Sequence, residues 1–219
     1  RPFAKGTYPI SRGLIASLLL GIIGFVLAFL ISTPFALSLA GYVTATTFYT
    51  LWLKKLPIID VLLIGFFYSY RIFAGAIATQ IPVTDWLLAF STFFFVSLGI
   101  QKRYSELLRL SKTNSIPSHG RGYHFEDLPI LLGFGLNSAF LSLLVFTFYL
   151  RSTEVTRLYA HPSWLWSIVA LLLIWIMRLW LLTHRGIMQD DPLLFTLRDR
   201  KSGLIFGLIL LILIVATFG

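Results

Sequence analysis

Residues 11–31 read SRGLIASLLLGIIGFVLAFLI, and no charged side chain follows Arg12 until Lys54. A helix needs roughly 20 apolar residues, each rising about 1.5 Å, to cross the hydrocarbon of a bilayer. The quoted stretch meets that length. Ser32-Thr33 then marks a turn, and Pro34 to Trp52 is a second span. Five more spans follow: Ile58–Ala78, Asp85–Ile100, Leu128–Leu150, Trp164–Leu182 and Gly203–Phe218. The runs are continuously apolar rather than alternating, which excludes a transmembrane β-barrel. The fold class is all-α: a polytopic transmembrane helical bundle with seven spans in a single domain over residues 1–219.

Composition supports the same class. Hydrophobic residues make up 57% of the chain and charged residues 12%. Soluble domains carry about 25% charged residues, so a water-facing surface cannot be built from this supply. The absence of cysteine excludes disulfides, thiol chemistry and Cys-ligated metals. A net charge of +9 raises nucleic acid as a partner. No basic stripe continues across a folded face, however, so no nucleic acid is expected. The cations instead sit between spans, as the positive-inside rule predicts.

One side receives Arg1, Lys5, Arg12, Lys54, Lys55, Lys102, Arg103, Arg109, Lys112, Arg121, Arg185, Arg198, Arg200 and Lys201. The other has only Arg151 and Arg157. The basic side is expected to be cytoplasmic, with the last helix ending opposite. The longest non-spanning stretches, 101–127 and 183–202, lie on that side, so chemistry is expected there. Arg1 to Gly6 is basic but has no cleavage site before the first span and no initiator Met, so the chain reads as a fragment or a processed product.

Few residues stand out as chemistry. Lys54 and Lys55, taken alone, are ordinary interfacial anchors beside Trp52, and Pro57 begins a helix. Arg71 lies deep in the third span, where a charge costs at least a few kcal/mol unless it faces a cavity or a partner. Two readings stay open for it: cavity lining, or an interhelix bond to backbone carbonyls. Asp60 precedes it by three helical turns, on the same face but too far away to pair.

Lys102 and Glu106 share a helix face, with Arg103 beside them. A carboxylate among cations is able to hold a divalent metal while its neighbours hold phosphate oxygens. A solvated ion pair explains the spacing equally well. Asp191-Pro192 reads as a helix N-terminus, and Ser202 as the cap of the last span. Asp190 and Asp191 are taken as structural, while Arg198 and Arg200 are candidates to guard a phosphate site. His124 and His184 have no second histidine at metal spacing, and there is no P-loop, Ser-His-Asp arrangement or HExxH.

Several pieces together resemble the UbiA superfamily of intramembrane prenyltransferases, closest to the subgroup containing decaprenyl-phosphate phosphoribosyltransferase. They are Arg1-Pro2-Phe3-Ala4-Lys5-Gly6, Tyr49 to Lys54, Asp60, Arg71-x-x-x-Gly75, Lys102-Arg103-Tyr104-Ser105-Glu106-Leu107, and Asp191-Pro192 to Asp199-Arg200. The resemblance implies nine helices around a central cavity. It also implies a first Asn-Asp-x-x-Asp motif for magnesium and diphosphate, which is absent here. The family's Arg-Pro…Gly segment follows that motif, so the chain is expected to lack the first two helices and to be open to inactivity as it stands. Glu106 is the one carboxylate where many relatives have two aspartates.

The activity implied is transfer between a polyprenyl phosphate or diphosphate and an acceptor, with diphosphate leaving. Phosphoribosyl diphosphate is one partner implied, and a small aromatic acceptor the alternative. Transport and non-enzymatic lipid binding are the readings from other classes. On this resemblance Lys54, Arg71, Lys102, Arg103 and Arg200 are phosphate contacts, and Tyr49, Lys54 and Arg71 are catalytic. Asp60 and Glu106 are magnesium ligands. The setting implied is a bacterial plasma membrane, with the site facing the cytoplasm.

Overall fold

A computed structural model describes residues 9–112, 121–188 and 191–218. The opening motif Arg1 to Gly6 and Asp190 lie outside the described residues. Everything described is helix, turn or loop, with no strand. Seven long helices correspond to the seven expected spans: α1 (Ile10–Ile31), α2 (Thr33–Leu51), α3 (Ile59–Thr79), α4 (Asp85–Lys112), α5 (Leu128–Leu150), α7 (Trp166–His184) and α9 (Arg200–Phe218). Two short helices, α6 (Thr153–Leu158) and α8 (Pro192–Arg198), lie between them.

By length and composition, five stretches are apolar enough to cross a membrane: α1, α3, Phe125–Leu150, Pro162–His184 and α9. The two remaining long helices are more polar for visible reasons. α2 is rich in threonine, and the hydroxyls of Thr44, Thr47 and Thr50 bond to carbonyls of their own helix, which satisfies them without water. α4 has a short apolar part and then runs on through Gln101, Lys102 and Arg103.

The ends of the helices follow local chemistry. The chain turns between α1 and α2 in one extended residue, Ser32, whose Oγ accepts from Phe35 N at 3.2 Å with Pro34 in the first turn. Gln80, with φ 58°, ends α3 in the left-handed conformation. Ile58, with φ 68°, precedes α3, and its N–H donates to the Tyr123 hydroxyl at 2.9 Å. That bond ties the segment after α4 to the start of α3. At the start of α9 the expectation is corrected. Asp199 is the cap, accepting from Ser202 N at 2.8 Å and from Ser202 Oγ at 2.7 Å. Ser202 itself sits in the first turn, buried, and accepts from Trp175 Nε1. A carboxylate is the stronger acceptor for orphan helix N–H groups, so the aspartate takes the role.

α4 is the centre of the bundle, packed against α3 and α5 along its length and against α7 and α8 near its end. The helices come close where side chains vanish. A Cβ on Gly65 would run into Val96, and one on Gly135 into the Trp180 ring. α4 extends to Lys112, well past the expected end of its apolar part at Ile100. Polar staples hold the extension: Gln101 Nε2 donates to Thr183 Oγ1 at 2.9 Å, and the Tyr104 hydroxyl meets His184 Nδ1 at 2.7 Å. Lys102, Arg103 and Glu106 are therefore set on a fixed helical scaffold rather than in a loop. α1 lies at the edge, with Ala28 its one buried residue and an apolar surface suited to lipid. The connections richest in cations gather at one end of the bundle, where Lys102 meets Asp191 and a Cβ on Gly186 would touch the Lys112 ammonium. At the other end, His161 N donates to Ala216 O at 3.0 Å and Arg151 lies over the Trp166 ring.

Candidate functional site

The site starts from a buried carboxylate. Asp60, in the first turn of α3, is 0% exposed. Three donors meet it. Tyr49 Oη, from the last turn of α2, donates to Oδ1 at 2.5 Å, Arg103 Nε to Oδ2 at 2.5 Å, and Arg103 Nη2 to Oδ1 at 3.3 Å. Arg103 is itself 3% exposed and reaches on through Nη1 to Glu106 Oε2 at 2.8 Å. The same Glu106 oxygen accepts from Arg121 Nη1 at 2.9 Å. One turn before Glu106, Lys102 Nζ bonds to Asp191 Oδ2 at 2.6 Å. Asp191 thus serves twice, since its Oδ1 also caps α8 by accepting from Leu193 N at 3.1 Å.

Arg71 approaches from the middle of α3. Its Nε donates to the Tyr42 hydroxyl at 2.9 Å. Its guanidinium carbon lies 5.4 Å and 5.2 Å from the ring centres of Tyr42 and Tyr68, so two aromatic faces hold it. Among the described residues no carboxylate comes within ion-pair distance of Arg71, and Asp60 is turned to Arg103 instead.

These groups share one cavity of about 330 Å³, whose wall includes Tyr42, Tyr49, Tyr68, Arg71, Lys102, Arg103, Glu106, Arg121 and Asp191. Four cations face two carboxylates on that wall, with Asp60 behind it, so the cavity is electropositive. A smaller hollow of about 40 Å³ shares Arg103, Glu106 and Arg121 and adds Tyr123, whose phenol pKa burial pushes up. Near the start of α9, Asp199 takes a two-pronged bond from Arg178 at 2.6 and 2.9 Å. That guanidinium holds the Asp199 carboxyl well below the usual carboxylate range.

Of the residues singled out in the sequence, Tyr49, Arg71, Lys102, Arg103 and Glu106 line the cavity, and Asp60 backs it. Lys54 and Arg200 do not line it. Lys54 belongs to the short turn Leu53–Lys55 that leaves α2, and Arg200 is exposed at the start of α9 while its neighbour Asp199 turns to Arg178. Three contributors escaped the sequence reading. Tyr42 and Tyr68 hold Arg71, and Arg121 joins Glu106. Arg121 was visible only as a loop cation, and nothing in the spacing links Tyr42 to a residue in the next helix. Asp191 read as a helix cap, which it is, without its bond to Lys102.

Helices long and apolar enough to cross a bilayer, gathered around an open cavity with cationic and aromatic walls, define a polytopic helical membrane protein. The chain belongs to the UbiA prenyltransferase family, whose model matches residues 1–197. It is 36% identical over 210 residues to the protein y4nM of Sinorhizobium fredii, covering 95% of this chain and 41% of that protein. It is 29% identical over 216 residues to nodulation protein NoeC of Azorhizobium caulinodans, covering 96% of this chain and 70% of NoeC. Decaprenyl-phosphate phosphoribosyltransferase of Mycobacterium tuberculosis is 27% identical over 115 residues, 52% of this chain and 38% of that enzyme. The chain thus spans well under half the length of y4nM, the relative it matches at the highest identity quoted.

Proposed function

We propose that the protein to which this chain belongs transfers a group between a polyprenyl phosphate or diphosphate and an acceptor, with phosphoribosyl transfer to a polyprenyl phosphate as the reaction. The observation that carries this reading is the convergence of Arg71, Lys102, Arg103 and Arg121 on one cavity inside a lipid-embedded bundle. The similarity to a phosphoribosyltransferase acting on decaprenyl phosphate supports the choice of reaction. In it, an anionic phosphate oxygen of the lipid forms a bond to the anomeric carbon of phosphoribosyl diphosphate. The bond from that carbon to diphosphate breaks, and diphosphate leaves with the electron pair. No proton transfer is needed to start it.

Charge concentrates on the departing diphosphate, so preorganised cations at that position lower the barrier. Arg71, held by two tyrosines, retains terminal N–H groups for phosphate oxygens. Lys102 and Arg121 line the same cavity and add further donors for phosphate oxygens. Tyr49 orients the wall through Asp60. Lys54 and Arg200, off the wall, take no contact in this reading. The cationic end faces the cytoplasm of a bacterial plasma membrane, where a water-soluble phosphoribosyl donor is at hand.

Magnesium, which the family implies, does not fit Asp60 and Glu106 as found. Every oxygen of Asp60 is taken by Arg103 and Tyr49, and Glu106 is shared by two guanidinium groups. No step is therefore assigned to a metal on those residues.

Purified full-length protein offered polyprenyl phosphate with phosphoribosyl diphosphate should release diphosphate and form a phosphoribosyl lipid. Product only from a polyprenyl diphosphate and an aromatic acceptor would reject this choice of reaction. Substrate flux across vesicles without covalent product, or lipid binding without turnover, would reject the enzyme.

A further inference from the structure

Three carboxylates border or back the cavity, and each is already matched to a cation of this chain. Asp60 is sealed from the space by Arg103 and Tyr49, with both oxygens engaged. Glu106 offers one oxygen to two guanidinium groups, Arg103 at 2.8 Å and Arg121 at 2.9 Å. Asp191 divides its oxygens between Lys102 and the backbone of α8. Among the described residues no group of three His, Cys, Asp or Glu is arranged to hold a metal ion. Magnesium demands near-octahedral oxygen ligands at about 2.0–2.1 Å. A divalent cation brought to Glu106 would also sit within a few ångströms of two guanidinium groups, which repel it.

Building on the phosphate-binding reading of this cavity, we propose that this wall grips its phosphoryl ligand directly, without a metal ion between. Lys102, Arg71 and Arg121 supply the contacts. Asp60 and Glu106 are positioning residues: Asp60 fixes Arg103, and Glu106 draws Arg121 from the loop to the cavity. Arg103, paired with both Asp60 and Glu106, occupies the space between the two carboxylates that a metal would need. Arginine suits this role because its guanidinium stays charged when buried and presents several donors in a fixed plane.

The test uses full-length protein with two probes, inorganic diphosphate and Mn2+. Calorimetry should detect diphosphate binding in EDTA. Lys102→Gln and Arg121→Gln should each weaken it by roughly 10-fold or more, by the same factor with or without added Mg2+, since a hydrogen bond to a charged group contributes about 1.5–3 kcal/mol. Electron paramagnetic resonance should find the Mn2+ affinity and stoichiometry unchanged by Glu106→Gln. Glu106 is part-exposed, so this variant is expected to fold even where Asp60→Asn does not. Glu106→Gln should also lose the diphosphate affinity that Arg121 supplies. A 10-fold loss of Mn2+ affinity in Glu106→Gln would overturn the proposal, as would diphosphate binding that appears only with Mg2+. Failure of wild-type protein to bind diphosphate with or without Mg2+ would instead overturn the underlying phosphate reading.

Discussion

Removing the Asp60 carboxylate should destabilise the bundle more than any other single change in the site. Asp60 is 0% exposed and accepts three hydrogen bonds, two of them from a guanidinium that is itself 3% exposed. In Asp60→Ala, Arg103 would keep its charge and lose its main partner, with Glu106 remaining. Breaking a buried ion pair from one side costs about 3–5 kcal/mol, because an uncompensated charge is left behind. At about 1.4 kcal/mol per factor of ten, the folding equilibrium should fall by roughly 100-fold to several thousand-fold. The assay is reversible unfolding of purified protein in mixed detergent micelles, followed by tryptophan fluorescence. A double-mutant cycle supplies the control. Asp60→Ala with Arg103→Met should cost less than the sum of the two single variants, with a coupling of about 2–3 kcal/mol. Two results would refute the reasoning. One is a cost below about 1 kcal/mol for Asp60→Ala, the range of exposed pairs. The other is a cost that appears only when Mg2+ is present, which would make Asp60 a metal ligand.

Three further outcomes follow from other parts of the molecule. Arg71→Ala and Lys102→Ala should each lower the proposed phosphoribosyl transfer by the full-length protein by about 100-fold to 1000-fold, the loss typical of a missing preorganised donor, while its elution as a folded species in detergent is unchanged. Gly135→Leu should destabilise by roughly 1–3 kcal/mol or prevent folding, because the Trp180 ring fills the space a side chain needs, whereas Gly133→Leu, at an open position, should be near neutral in the same unfolding assay. The Asp199 carboxyl is held below its unfolded value by Arg178, so its stabilisation is present above about pH 4 and is lost as pH falls through the lower folded value. The melting temperature of wild type should therefore exceed that of Asp199→Asn at pH 7, and the gap should narrow on acidification.

The hydrophobic runs made the helices legible because lipid leaves the backbone few choices. Each of the seven spans read from the sequence is a helix, with ends within a few residues except at α4. Its apolar run stops at Ile100, but the helix continues because Gln101, Tyr104 and Arg103 find partners on α7 and α3, and those partners are remote in sequence. The same limit applies to the site. Arg71 was conspicuous because a charge in a span is costly, and Lys102 with Glu106 because of their helical spacing. What each residue touches was not legible. The resemblance makes Asp60 and Glu106 metal ligands, and nothing in the spacing shows that Tyr49, Arg103 and Arg121 bond to them. Ser202 gave up the cap of α9 to Asp199, a competition that spacing alone does not decide.

The proposed function requires that the cationic, aromatic-walled cavity bind a phosphorylated ligand. An experimental structure of the full-length protein soaked with inorganic diphosphate tests this most directly. Diphosphate is expected in the cavity between α3 and α4, with its oxygens within hydrogen-bond distance of Arg71 and Lys102. Diphosphate bound elsewhere, with Arg71 still turned only to Tyr42, would contradict it.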